Sequence, residues 1–173
     1  MKKASLSLAV IIISSALFFT FNPHSVSAAR IATDATVLNT EGTRGLFVVI
    51  FTLRAFGSDI YLPLSSLRGT STNPHDVGAV FSFIDNTDTL KTTGTSNSII
   101  LGTTTIENGM YKITEGSRAT FAVVSSLTTQ EQTESRYRMR IDSLKYFTEN
   151  DRKNAVNYPF TPGTLQTKLL KLR

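Results

Sequence analysis

Of the side chains able to act as nucleophile, base or metal ligand, the chain holds no cysteine and two histidines, His24 and His75. Thiol enzymes, disulfide frameworks, zinc fingers, haem attachment and multi-histidine metal sites are thereby excluded. A Ser-His-Asp system would have to use His75, oriented by Asp59 or Asp76, yet no Gly-x-Ser-x-Gly elbow presents a serine to it. Following Asn73 and Pro74 in a polar stretch, His75 reads as a solvated turn residue. The carboxylate pairs Asp85 and Asp88, Glu131 and Glu134, and Glu149 and Asp151 invite comparison with glycosidases, which need two carboxylates across a cleft. Pairs this close in sequence, among polar residues, read instead as turn formers. The expected chain is not an enzyme and needs no cofactor.

Two constellations remain. Asp85, Asn86 and Asp88 supply the hard oxygens that calcium takes, although the full acidic spacing of a calcium loop is missing. An Asx-type turn is the simpler reading of the same residues. Arg136, Arg138 and Arg140 alternate with Tyr137, Met139 and Ile141, which on a strand sets three guanidinium groups on one face over about 13 Å. Such a stripe suits an anionic glycan or wall polymer; its plainer counterpart is a charged solvent face that discourages edge pairing. No aromatic platform alternates with the arginines, so nucleic acid is disfavoured as a partner. There is no Trp, and Tyr61, Tyr111, Tyr137, Tyr146 and Tyr158 fall in strand-like positions that read as core, so flat sugar platforms are disfavoured too. Lys145 and Lys168 lie in strand-like runs where an isopeptide lock is conceivable, but the sequence pairs neither with a particular Asn.

The elements that would position these residues are strands. Over 45–56, Phe47, Val49, Phe51 and Leu53 alternate with Leu46, Val48, Ile50 and Thr52, and both sets are mostly apolar. A strand of that kind is central and covered on both faces, or covered on its second face by a loop or a partner. A short strand over 60–62 is halted by Pro63, which suggests an edge. A polar loop over 65–78 precedes strand character over 80–84, and a second polar loop runs over 85–98. A strand over 99–106 turns at Asn108 and Gly109 into a return strand over 110–114. Over 118–128, Phe121 and Val123 share one face, with Thr120, Ala122 and Val124 on the other. In 136–141 the alternation is clearest, and Leu144 and Tyr146 then fall out of phase, which predicts a bulge near Asp142 and Ser143. Residues 148–157 read as a charged loop. The 165–172 segment reads as a final strand, with a helix as the alternative because Leu165, Leu169 and Leu172 also share a helical face.

The first 29 residues carry Lys2 and Lys3, an apolar run over 6–21, and small residues up to Ala28 and Ala29. This is the pattern of a secretory signal peptide cut after Ala28 or Ala29, leaving one domain over 29–173. The alternative is an uncleaved anchor helix, but the apolar run is shorter than the roughly 20 residues a bilayer-spanning helix needs, and no second apolar run follows, so no membrane span is expected after cleavage. No cysteine follows the cut to take a lipid. An exported chain with neither disulfides nor an Asn-x-Ser/Thr acceptor fits a bacterial envelope or extracellular protein.

The whole sequence of 173 residues has a net charge of +5, which falls to +3 once Lys2 and Lys3 leave. From Arg136 onward there are nine basic residues against three acidic, and over 29–135 seven against ten. The basic excess is therefore local, and the weak overall charge does not by itself imply a polyanion partner.

Short strands separated by turn signals every 8 to 15 residues, with no long helical period, predict an all-β fold. The expected form is an antiparallel two-sheet sandwich, immunoglobulin-like or of a related Greek-key topology, with seven or eight strands. Three segments carry a resemblance, 46–63 (LFVVIFTLRAFGSDIYLP), 113–127 (ITEGSRATFAVVSSL) and 137–146, within a stretch of about 100 residues. In strand texture, in the Phe-Gly-Ser-Asp-Ile-Tyr turn and in an aromatic near the end of the late strand, the chain resembles secreted β-sandwich domains of bacterial surface proteins. In domains of this look the late strand often ends in Trp, where this chain has Tyr146. The resemblance implies a sandwich and export, and names no catalytic residue. The function expected is a secreted or cell-surface interaction or structural module whose partner is another envelope or extracellular protein, or an anionic polymer. An anionic-glycan module, assisted by calcium at Asp85, Asn86 and Asp88, is the alternative. The sequence does not reveal the oligomeric state.

Overall fold

The computed structural model describes residues 25–29, 33–36, 42–69, 73, 75–130 and 134–172. The apolar leader over 6–21 lies outside the described residues, as do Pro74 and Glu131. The strands in chain order are β1 Ser25–Ala29, β2 Thr33–Thr36, β3 Arg44–Phe56, β4 Ile60–Pro63, β5 Leu67–Arg68, β6 Gly78–Ile84, β7 Thr95–Gly102, β8 Ile106–Glu107, β9 Met110–Ile113, β10 Arg118–Thr128, β11 Ser135–Thr148, β12 Asp151–Pro159 and β13 Leu170–Leu172. They form an all-β sandwich of two sheets. The five-stranded sheet runs β1-β3-β10-β7, with β2 also on β3; the eight-stranded sheet runs β5-β6-β11-β4-β9-β8, with β12 and β13 also on β11. Every pairing is antiparallel except β5 with β6. Among the described residues no helix is long and apolar enough to cross a membrane.

Alternation builds the core. In β3, Phe47, Val49, Phe51 and Leu53 are fully buried, and in β10 Ala119, Phe121, Val123 and Leu127 join them. The opposing sheet contributes Phe81, Phe83, Tyr137, Met139 and Ile141 to the same cluster. Aromatic pairs lock the two layers together: Phe47 meets Phe83 edge-on at 5.1 Å, and Phe121 meets Tyr111 edge-on at 5.5 Å. The predicted bulge is present, as the β11–β6 register shifts between Ile141 and Ser143. The shift hands the inward positions from Tyr137, Met139 and Ile141 to Leu144 and Tyr146, all of them buried. The Asn108–Gly109 turn is also present, with both residues at positive φ between β8 and β9.

Other expectations need correction. The described residues form thirteen strands rather than seven or eight, because several are pieces of two to five residues that complete the edges of longer ones. The strand at 60–63 is internal, between β11 and β9; its proline is tolerated because β11 accompanies β4 only at Ile60 and Tyr61. The polar residues 95–98 are not loop but the first half of β7, an outer strand of its sheet, where Thr95 and Asn97 face water and Ser96 and Ser98 are half-buried. The strand expected over 99–106 breaks at Gly102 and crosses to the other sheet as β8. A Cβ at Gly102 would sit 2.6 Å from the Phe121 ring, so the crossing needs glycine. The charged stretch expected as a loop is largely β12, whose charges suit a strand exposed beside β11. In 165–172 only Leu170–Leu172 is a regular strand, but the run before it is extended along β11, with Thr167 N–H on the Met139 carbonyl at 2.9 Å and no helix. The predicted cut after Ala28 or Ala29 falls within or at the end of β1, which pairs with Thr52 to Phe56 of β3.

Candidate functional site

The outer face of the eight-stranded sheet brings together both constellations singled out in the sequence. Arg138 stands opposite Ile84 and Arg140 opposite Ser82 in the β11–β6 register, and the loop leaving β6 at Ile84 folds back over them. That loop is an Asx turn. Asp85 Oδ1 accepts hydrogen bonds from the Thr87 backbone N–H at 2.8 Å, the Thr87 hydroxyl at 2.7 Å and the Thr89 N–H at 3.0 Å. The Thr87 bonds, followed by Thr89 and the Lys91 ammonium, pull the Asp85 carboxyl down to about 2. Asp88, at a positive φ of 61°, points its carboxylate onto Arg138 at 2.7 Å, and Asp142 holds Arg140 at 2.6 Å. The arginine stripe expected to face solvent is therefore exposed at Arg136 only; Arg138 and Arg140 are half-buried and charge-neutralised. Asp85 and Asp88 work separately in the loop, Asn86 is exposed, and among the described residues no group of three His, Cys, Asp or Glu could hold a metal.

Beside this loop lies a shallow cleft of about 340 Å³, lined among others by Arg68, Ser82, Phe83, Leu90 and Lys91. Its arginine, serine and lysine are already engaged. Arg68 donates to the carbonyls of Gly94 at 2.8 Å, Lys91 at 3.0 Å and Thr93 at 3.1 Å, and its guanidinium lies 5.3 Å from the Phe83 ring centre. Burial lowers its pKa. Arg68 thus joins the β6 edge to the approach to β7 and closes the side of the sandwich. Ser82 donates to Asp142, and Lys91 pairs with Asp85 at 3.6 Å. Nothing in the sequence marked Arg68, since its partners are three backbone carbonyls and the Ser96 hydroxyl, 23 to 28 residues away.

A second cluster surrounds Tyr61. Its buried phenol donates to Glu149, and Arg152 lies over its ring at 4.0 Å. Lys112 bridges Glu107 at 3.0 Å and Asp59 at 3.2 Å, while Arg152 pairs with Glu149 at 2.6 Å. These contacts raise the Lys112 and Arg152 pKa values and lower that of Glu149, while burial, then the bond to Glu149, raises that of Tyr61. The network ties β4, β9 and β12 together and leaves its carboxylates paired with cations. The other chemical candidates are dispersed. His75 is exposed with Nδ1 at 3.2 Å from the Lys153 carbonyl, Asp59 serves Lys112 and the Glu115 N–H, and Glu134 pairs with Lys171 at 2.5 Å. Lys145 stands opposite Asn157, but Asn157 is exposed, whereas an isopeptide bond forms where water is excluded.

The surface least explained by stability is the outer face of the five-stranded sheet. In register across β3, β10 and β7 stand Ile50, Ala122 and Leu101 in one row and Val48, Val124 and Ile99 in the next. Ile50, Ile99 and Leu101 are exposed by 42%, 46% and 49%. Residues 45–53, 119–128 and 95–102 contain no charged side chain; Arg44, Arg54 and Arg118 stand at the strand ends. The doubly apolar pattern of 46–52 is thus covered on one face only, among the described residues. The sequence already showed Leu46, Val48 and Ile50 as a second apolar set; what it did not reveal is that β10 and β7 extend the set sideways. No family model matches this chain, nor does any curated protein or solved structure.

Proposed function

We propose that this chain is a non-enzymatic interaction module, exported by its N-terminal leader and working in the envelope or outside the cell. The observation that carries the reading is the uncharged apolar outer face of β3, β10 and β7. An exposed, contiguous apolar patch opposes solubility unless it is used for contact. In contrast, the polar candidates are turned inward on one another, as Arg138 is on Asp88 and Arg140 on Asp142. That pairing weakens the anionic-glycan alternative, which needs free guanidinium groups. The test is capture of envelope components on immobilised exported protein, in parallel with a Val124→Glu variant and an Arg136→Ala/Arg140→Ala variant. Contact through the apolar face predicts retention by the parent and the arginine variant and loss in Val124→Glu. Retention that depends on the arginines and ignores Val124 would instead return the stripe to the function.

A further inference from the structure

We propose that the apolar face of β3, β10 and β7 docks on an anionic lipid surface, its apolar rows entering the bilayer interface and the arginines at the strand ends taking headgroup phosphates. The inference rests on the interaction-module reading and names its partner. In β3 and β10 the residues that share the outer face with Val48 and Val124 are the even-numbered ones, so alternation places Arg44, Arg54 and Arg118 on that same face. At about 3.4 Å per residue, Arg44 and Arg54 stand about 34 Å apart along β3, one at either end of the apolar rows. Arg118 stands directly opposite Arg54 across the β3–β10 ladder. Like charges so placed repel, unless an anion is shared between them. Arg54 is held at its post by its Nε bond to the Gly116 carbonyl at 3.3 Å and by the Phe56 ring, 4.6 Å from its guanidinium, contacts that leave its charge uncompensated. Among the described residues none of the three arginines has a carboxylate partner, whereas Arg138, Arg140 and Arg152 of the other sheet each hold one.

One acidic residue, Asp34, stands on this face among the described residues, opposite Val48 on the flanking strand β2. β2 pairs with β3 alone, so Asp34 lies at the margin of the contact, where headgroups and water remain. The face therefore carries an apolar centre and three arginines against one carboxylate, and that combination selects the occupant. A glycan or wall polymer offers anions but no hydrocarbon for Ile50, Ile99 and Leu101, the exposed centre of the face. Another copy of the chain brings the same positive excess and is repelled by it. An anionic bilayer supplies hydrocarbon at the centre and phosphates at the rim, and fluid lipid follows a twisted sheet without needing a matched shape. Arginine stems lie along apolar surface while their heads stay with the phosphates.

Cosedimentation of the exported protein with vesicles of phosphatidylglycerol and phosphatidylcholine, against vesicles of phosphatidylcholine alone, tests the proposal. The expected result is retention on the anionic vesicles that falls as salt rises. A basic residue at such a surface is worth about five-fold in partition, so Arg44→Ala/Arg118→Ala should bind on the order of 25-fold more weakly at unchanged melting temperature. Asp34→Asn should bind more tightly, and Val124→Glu should lose retention. Since the chain has no cysteine, a nitrobenzoxadiazole dye can be attached at Leu101→Cys, where its emission should shift to the blue on anionic vesicles. The same dye at Asn157→Cys, exposed on the other sheet, should not shift. That arm reads the contact even where a charged variant fails to fold. Absence of both retention and dye shift would overturn the proposal, as would equal binding to the neutral vesicles or retention indifferent to Val124→Glu. A mass that doubles with concentration and depends on Val124, without vesicle binding, would give the face to a second copy instead. Should vesicle binding fail while Val124-dependent capture of an envelope protein persists, the lipid is wrong and the module reading stands.

Discussion

Phe121 is fully buried between Phe51, stacked at 6.0 Å, and Tyr111, edge-on at 5.5 Å. Its ring fills space that β3 and β9 approach from opposite sheets, so Phe121→Ala leaves a cavity that neither rigid layer can close. A loss of about 3 to 5 kcal/mol is expected in urea denaturation, and a loss under about 1 kcal/mol would mean that the layers collapse onto the gap. Asp85 makes a different kind of residue-scale claim. Its folded value of about 2 lies below the ordinary 3.8, so the loop's contribution to stability is complete above about pH 4 and fades as pH falls toward 2. A carbon-detected NMR titration should find the Asp85 carboxyl midpoint near 2. A midpoint at the ordinary value would show that Thr87 and Thr89 do not hold the anion in solution. At this scale the sequence was informative wherever a residue works with near neighbours: the Asx turn at Asp85 was legible from its composition. It was silent on Arg68, Tyr61 and the Asp88–Arg138 pair, whose partners are brought together only by the sheets.

At the scale of elements, the far end of the chain and the start of β3 each carry a prediction. Leu165, Thr167 and Leu172 are buried, and β13 and the run before it satisfy the β11 edge from Ser135 to Ile141. Truncation after Gly163 removes these groups and opens that edge, so the shortened protein should aggregate and melt at lower temperature. An unaltered monomer would deny the segment its structural role. At the other end, β1 covers the β3 edge at Thr52 to Phe56. Signal cleavage after Ala28 or Ala29 would empty that slot. Amide exchange at alternate residues of 52–56 should then be faster in the processed form than in a form beginning at Ser25, whereas equal protection would mean that another segment has taken the place of β1. Legibility differed by element for a physical reason. The 136–141 strand and its bulge could be read because one face is core and one is wet, so the phase of the pattern is visible. β12 and the first half of β7 could not, since flanking strands expose polar or charged side chains on most of their surface and leave a loop's composition. The hairpin at Asn108–Gly109 was read correctly as a turn, but the sheet to which its first strand belongs is set at Gly102, by contact with a ring 19 residues further on.

For the molecule as a whole, alternation and turn spacing sufficed for an all-β sandwich, because two apolar faces of period two have few ways to bury one another. Function was less legible: the sequence pointed to its charged constellations, and folding pairs most of those internally, leaving the neutral face as the surface without a structural task. One further property of the whole chain follows from the Tyr61 cluster. Without tryptophan, its near-ultraviolet emission comes from five tyrosines. In the folded state the Tyr61 phenol donates to a carboxylate and lies against a guanidinium, and Tyr111 and Tyr137 each share the phenol with a neighbouring oxygen. A phenol bonded to a carboxylate or carbonyl loses its excited state to the proton acceptor and is dim. Tyr61 and Tyr111 are therefore expected to be dim in the native protein and to brighten as it unfolds, an optical signal that needs no label and that Glu149→Ala should partly switch on in the folded state.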